Sequence, residues 1–191
     1  GNDDIGEYTK TELEKNYIDN ILITDPSRPT TFKKRYLVEN QKMFRVSRLE
    51  ENNVSRDIED ELINKLENLA PKSDGIIISD FVYGVVTSRI LNQVGRLAKE
   101  YNLALFGDLQ CSSQVGSVTK FKDFTVLCPN EKEARIALQD KDSGLELICQ
   151  KMISTTNTKG LLMTLGSEGL IGFDCTNKEE IIRQSFPALT V

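Results

Sequence analysis

Four short apolar runs, each closed by a polar residue, constrain this chain more than anything else in it. They are Ile76-Ile77-Ile78 before Ser79-Asp80, Leu103-Ala104-Leu105-Phe106 before Gly107-Asp108, Val126-Leu127-Cys128 before Pro129-Asn130, and Leu161 to Leu165 before Gly166-Ser167-Glu168-Gly169. Runs this short and this apolar read as strands buried in a parallel sheet. Helical stripes separate them. Ile58, Leu62, Leu66 and Leu69 share one helical face that Pro71 ends, and Ile90, Leu91, Val94, Leu97, Ala98 and Tyr101 form a second over about 87–101. A further helix is expected after Asn130, and another near Ser143, where Ser143 and Glu146 have capping-box spacing. Leu170 to Phe173 reads as the hairpin partner of the strand at 161–165. Repeated strand–helix units imply right-handed crossovers and an α/β fold, a mostly parallel sheet with helices on both faces. Ligands of open α/β sheets bind beyond the carboxyl ends of the strands. Asp80, Asp108, Asn130 and the Gly166–Gly169 turn are therefore expected along one edge.

The first quarter of the chain differs. Gly1 to Gly6 reads as a turn, 7–18 as a polar helix, and Asp25-Pro26-Ser27-Arg28-Pro29 as a loop. Residues 30–38 and 43–49 read as strands joined by a turn at Glu39–Lys42. This hairpin is too polar for a buried strand pair and is expected to project as a flap or partly cover a site. No internal repeat or second domain is evident. Residues 1–191 read as one domain, with a hairpin at about 28–49 and a βα core at about 55–191.

Composition excludes several classes of function. The net charge of −5 and the brevity of the one basic cluster, Lys33-Lys34-Arg35, argue against a nucleic-acid partner. No apolar run approaches the ~20 residues that span a bilayer, and Gly-Asn-Asp-Asp does not open like a signal peptide. Cys111, Cys128, Cys149 and Cys175 lack CxxC spacing, which fits free thiols in a reducing cytoplasm. The absence of histidine excludes His-based triads and His-ligated zinc within these residues.

Each polar feature admits a structural and a chemical reading. Asn130-Glu131-Lys132-Glu133 opens a helix, so Asn130 and Glu133 suit a reciprocal N-cap. They equally suit an anion or Mg²⁺-water site at a helix N-terminus. Thr164 to Gly169 is either a plain turn or a glycine turn whose amides approach phosphate, and it is neither a Walker A nor a G-x-G-x-x-G sequence. Asp80 and Asp108 either cap local turns or bind sugar hydroxyls or Mg²⁺ waters. Arg35, Arg45 and Arg48 are either solvated or form a guanidinium clamp for an acceptor phosphate.

Taken in order, these features resemble the ribokinase-like (PfkB) carbohydrate kinases, over essentially the whole chain. Gly1-Asn2-Asp3-Asp4-Ile5-Gly6 is similar to the family's G-x-D-x-x-G. Arg28 to Lys33 and Arg45 resemble its sugar-lid strands. Ser79 to Gly84 resembles the S-D-Y-x-K-G of the branch that phosphorylates heptose 7-phosphate, with Tyr83 in place of Lys. Asn130 and Glu133 match N-x-x-E, and Thr164, Gly166 and Gly169 match T-x-G-x-x-G. The resemblance implies a three-layer fold with a β-hairpin lid. It also implies ATP and Mg²⁺ as cofactors, with Asn130 and Glu133 holding Mg²⁺ and its waters. Thr164, Gly166, Ser167 and Gly169 would line the ATP side, and Asp80, Asp108 and Arg45 the acceptor side. It implies in-line phosphoryl transfer to a sugar or sugar phosphate and dimerisation through the lid. The catalytic Asp of the family's G-A-G-D is expected beyond Val191 and part of the sugar site before Gly1, so no catalytic base is assigned in this chain. Leu109 to Gln114 replaces the usual D-P-K or D-P-N after Asp108, which leaves fructose or a nucleoside open as acceptors. A non-catalytic sugar-phosphate-binding module is the alternative, and a fused nucleotidyltransferase is neither supported nor excluded.

Overall fold

The protein is described by a computed structural model over residues 1–39, 41–110, 116–177 and 181–188. It divides into two units, Gly1–Asn64 with Tyr83–Thr87, and Lys65–Val82 with Ser88–Val191. The expected loop at 109–114, including Cys111, and the end of the chain at 189–191 fall largely outside the described residues.

In the first unit, α1 (Asp4–Lys15) begins earlier than its polarity suggests, because Asp3 caps it by accepting from the Gly6 amide at 3.0 Å. Strands β1 (Phe32–Val38) and β2 (Gln41–Arg48) form the expected hairpin, an antiparallel two-stranded sheet. Side chains alternate across it. Phe32, Lys34, Tyr36, Phe44, Val46 and Arg48 share one face, where Tyr36 stacks on Phe44 at 4.4 Å, and Lys33, Arg35 and Arg45 share the other. Helix α2 (Arg56–Leu69) starts in this unit.

The second unit holds a six-stranded sheet in simple sequential order. Its strands are β3 (Gly75–Asp80), β4 (Ala104–Leu109), β5 (Val126–Leu127), β6 (Gly160–Thr164), β7 (Leu170–Asp174) and β8 (Ile182–Phe186). The first four run parallel and β7 and β8 return antiparallel. The helices are α3 (Ser88–Tyr101), α4 (Glu131–Leu138) and α5 (Leu145–Thr156). The apolar stripe of α3 buries Ile90, Val94 and Leu97, and α5 buries Ile148 and Met152. These meet a core that includes Leu109, Phe121, Leu127, Leu161 and Met163. A methyl on Gly107 would lie 2.8 Å from Leu127 and 3.1 Å from Phe121 and Phe124, so a bare backbone there admits both rings.

Three details depart from the sequence reading. The run Val126-Leu127-Cys128 keeps only two ladder residues, because Pro129 has no amide to continue it. Ser143 does not cap α5; its hydroxyl donates to Asp140 Oδ2 at 2.7 Å and its amide to Oδ1 at 3.0 Å, leaving Gly144 as the N-cap. Strand β8 was not foreseen, since Ile-Arg-Gln-Ser-Phe is exposed throughout and carries little hydrophobic signal. No described helix is long and apolar enough to cross a membrane.

Candidate functional site

The chain reverses from β5 into α4 over Cys128-Pro129-Asn130. Extended backbone at Asn130 (φ −83°, ψ 164°) turns its amide oxygen onto the Glu133 N–H, 2.8 Å away. The Glu133 carboxylate returns to accept from the Asn130 N–H at 3.0 Å. The reciprocal cap is therefore real, and Glu133 is buried by it. It also fixes what lies alongside. Asn130 pairs in parallel with Thr164, and the Thr164 amide donates to the Pro129 carbonyl at 3.0 Å. Residues 34 positions apart in sequence are thus locked together at the carboxyl ends of β5 and β6.

Asn130 of the one motif and Thr164 and Gly166 of the other line a cavity of about 1000 Å³ together with Arg135, Ile136 and Lys141, while Glu133 and Ser167 stand next to lining residues without being among them. The cavity's outer wall is the loop after α4, which two groups hold. Arg135 donates to Glu131 at 2.8 Å and to the carbonyls of Ser143 (2.8 Å) and Lys141 (3.3 Å). Asp140 accepts from Lys151 first and Ser143 second, and these donors hold its carboxyl well below the usual carboxylate range. Gly166 has φ +62° and open space where a side chain would project, so the turn offers bare backbone on the cavity side. Ser167 follows, exposed. The cavity is wide, part apolar and open to a helix N-terminus and a glycine turn, a setting that can receive a flat apolar group joined to an anion.

Asp80 and Asp108 end neighbouring strands but do not converge. Ser79 pairs with Asp108 and Asp80 with Leu109, so alternation sends the two carboxylates to opposite faces of the sheet. Asp80 is 3% exposed, accepts from the Val82 amide at 2.9 Å and is ion-paired with Lys120. Asp108 is half-buried, accepts from the Gln110 side chain at 2.8 Å, and lies beside Cys128. Burial first, and Asp108 second, push the Cys128 thiol up. Arg45 stands exposed on β2 in the first unit, directly across from Arg35. The described residues hold no cluster of three or more side chains able to chelate a metal.

Lys120, Arg135 and Asp140 were not anticipated. Arg135 lies one turn from Glu131, a pairing visible in sequence. Lys120 meets Asp80 across 40 residues, and nothing local marks it.

Comparison with known proteins bears on all of this. The profile of the pfkB family carbohydrate kinases matches residues 1–191. The chain is similar to the Bifunctional protein HldE of Helicobacter hepaticus, 31% identical over 185 residues, covering 91% of this chain and 36% of that protein. It is also similar to that of Desulfatibacillum aliphaticivorans, 30% identical over 155 residues, covering 80% and 31%. The chain thus spans about a third of the length of these curated relatives. Among solved structures, ribokinase from Giardia lamblia superposes with a TM-score of 0.77 at 17% identity, covering 100% of this chain and 58% of that one. Phosphofructokinase-2 from Escherichia coli in complex with fructose-6-phosphate gives 0.69 at 15% identity, covering 98% and 61%. Both are likenesses of fold, and the fold they share is ribokinase-like.

Proposed function

The chain belongs to the pfkB family of carbohydrate kinases, and from that premise we propose that it is part of an enzyme that transfers the γ-phosphoryl of ATP to a sugar or sugar phosphate, with a heptose-phosphate-like acceptor. The observation that carries the reading is the Asn130–Thr164 bridge, which sets the first residue of N-x-x-E beside the Thr and first Gly of T-x-G-x-x-G on one cavity, with Glu133 tied to it through the Asn130 cap. Asn130, Thr164, Gly166 and Ser167 bound the nucleotide phosphates, where amides at the α4 N-terminus and the glycine turn favour negative charge.

The residues fit Mg²⁺ of one kind only. A single buried carboxylate, Glu133, with the Asn130 amide beside it, suits a hydrated ion held mostly by phosphate oxygens and not a resident protein-chelated one. Such an ion supplies charge neutralisation on the phosphates. The protein's share is orientation: the cap fixes both side chains before nucleotide arrives. The catalytic base is supplied from outside these 191 residues, which by themselves bind without turnover.

Within the first unit, Arg35 and Arg45 face each other across the hairpin with Lys33 on the same face, a cationic strip matched to an acceptor phosphate. Asp108 serves sugar hydroxyls. Asp80 does so only if it parts from Lys120. The second reading, a module that binds sugar phosphate without turnover, is supported by Tyr83 in place of the usual Lys and by the unusual Leu109 to Gln114 sequence. The face of the hairpin that carries Phe44, 59% exposed, and Val46, 52% exposed, mixes these apolar groups with Lys34 and Arg48 and suits a second copy of the chain. The cytoplasm, with its ATP and reduced thiols, is the compartment this reading implies; the described cysteines are free.

The test is ADP release by the full-length protein with ATP, Mg²⁺ and a panel of heptose 7-phosphate, fructose, fructose 6-phosphate and a nucleoside. Turnover with one acceptor that Asn130→Ala and Glu133→Gln each depress by about a hundredfold is expected, in the range of lost charge-stabilising groups. Binding of an acceptor with no ADP release would establish the binding module instead.

A further inference from the structure

The glycine turn after β6 contains two glycines with positive φ, and their surroundings differ. Gly166 borders the cavity and a side chain there would meet nothing within 4 Å. Gly169, φ +99° and ψ −132°, is not among the cavity's lining residues. A methyl at Gly169 would fall 2.1 Å from the Phe186 carbonyl oxygen, 2.6 Å from the Ala188 nitrogen and 2.7 Å from the Pro187 carbonyl carbon. All three are backbone atoms of the chain leaving β8, which cannot yield as a flexible side chain can. The same turn is closed internally by the Leu165 amide donating to the Gly169 carbonyl at 2.8 Å and the Gly169 amide donating to that of Gly166 at 3.2 Å. The β7–β8 ladder ends on the Leu170–Phe186 pair immediately beside it.

We infer that Gly169 is a positioning residue: it seats the 186–188 backbone against the nucleotide turn, while Gly166 alone of the two faces nucleotide. This rests on the nucleotide reading of the cavity only for the role of Gly166. Because a single hydrogen-bonded turn carries both glycines, a ligand that engages the Gly166 side acts on the seat, and a disturbed seat acts back on the turn. Residues 186–188 are thereby placed by the element that holds nucleotide.

The experiment is amide NMR on the full-length protein, first without nucleotide and then titrated with Mg²⁺·AMP-PNP. Without nucleotide, Gly169→Ala should displace the Phe186 and Ala188 signals. Pro187→Gly, which leaves the turn sequence intact and serves if Gly169→Ala fails to fold, should displace those of Gly166 to Gly169. In the titration the wild-type Phe186 and Ala188 signals should move together with Gly166. Gly166→Ala should weaken the analogue about tenfold, and Pro187→Gly less than about threefold, as expected for coupling through a neighbouring element. Stationary Phe186 and Ala188 signals while Gly166 moves, or turn signals unchanged by Pro187→Gly, overturn the seat. If no signal responds to AMP-PNP, the nucleotide reading fails, and the measurements without nucleotide still decide whether the seat exists.

Discussion

Single side chains in this protein carry tasks that their neighbours in sequence do not announce. Asp3 accepts from the Thr30 amide at 2.9 Å, the Gly6 amide and Arg48. Hydrogen bonds from Thr30, then from Gly6, with Arg48 contributing least, hold its carboxyl at about 2. A carboxyl depressed from 3.8 to about 2 stabilises the fold fully above 3.8, and that contribution fades as pH falls through about 2. Asp3→Asn should therefore flatten the acid limb of the unfolding midpoint between these pH values, leaving the curve above pH 5 parallel to the wild type. Lys120 is the opposite case, a distant partner for a buried charge. Lys120→Met would leave Asp80, 3% exposed, without its cation, and should cost about 3 kcal/mol in urea unfolding. Asp80 could be singled out from its place at a strand end. Its partner could not, because a contact across 40 residues exists only once the sheet has formed. Cys149 shows the effect of depth: burial lifts its thiol to about 11, so it should resist thiol reagents at pH 8 until the protein unfolds.

At the scale of elements, the N-terminus of α4 joins a structural and a chemical role in the same two residues. Asn130→Ser separates them. Serine caps as well as asparagine, so stability should change by no more than about 0.5 kcal/mol. Its shorter side chain falls back from the cavity, so affinity for Mg²⁺·AMP-PNP should drop about tenfold, a loss of about 1.4 kcal/mol. Calorimetric titration beside a melting curve checks both. Elements with a strong periodic signal were legible: the strands at 76–80 and 161–165, the α3 stripe, and the helix opening at Asn130 all lie where patterning puts them. Legibility failed where tertiary bonds outcompete local ones. Ser143 has the spacing of a cap but is drawn to Asp140, which also holds Lys151. Strand β8, exposed at every position, is defined by its ladder to β7 and not by hydrophobicity.

For the molecule as a whole, the order of motifs along the chain was the informative signal, since it pointed to the family before any contact was known. Their convergence was only partly visible. The Asn130–Thr164 bridge follows from strand order, whereas the opposed faces of Asp80 and Asp108 follow from a register that sequence does not encode. The hairpin raises the question of assembly. Two strands alone are marginal in water, and this pair leaves Phe44, Val46 and Met43 mostly exposed. If a second copy covers that face, the wild-type protein should sediment as a dimer and Phe44→Glu as a monomer; equal sedimentation would remove the hairpin from any interface. The proposed nucleotide site joins the α4 cap and the β6 turn around Mg²⁺·nucleotide. Its most direct test is calorimetric titration of the full-length protein with Mg²⁺·AMP-PNP, wild type beside Glu133→Gln. One-site binding that is Mg²⁺-dependent in the wild type and at least about tenfold weaker in the variant is the predicted result. Binding of equal strength in both proteins, or none in the wild type, would contradict it.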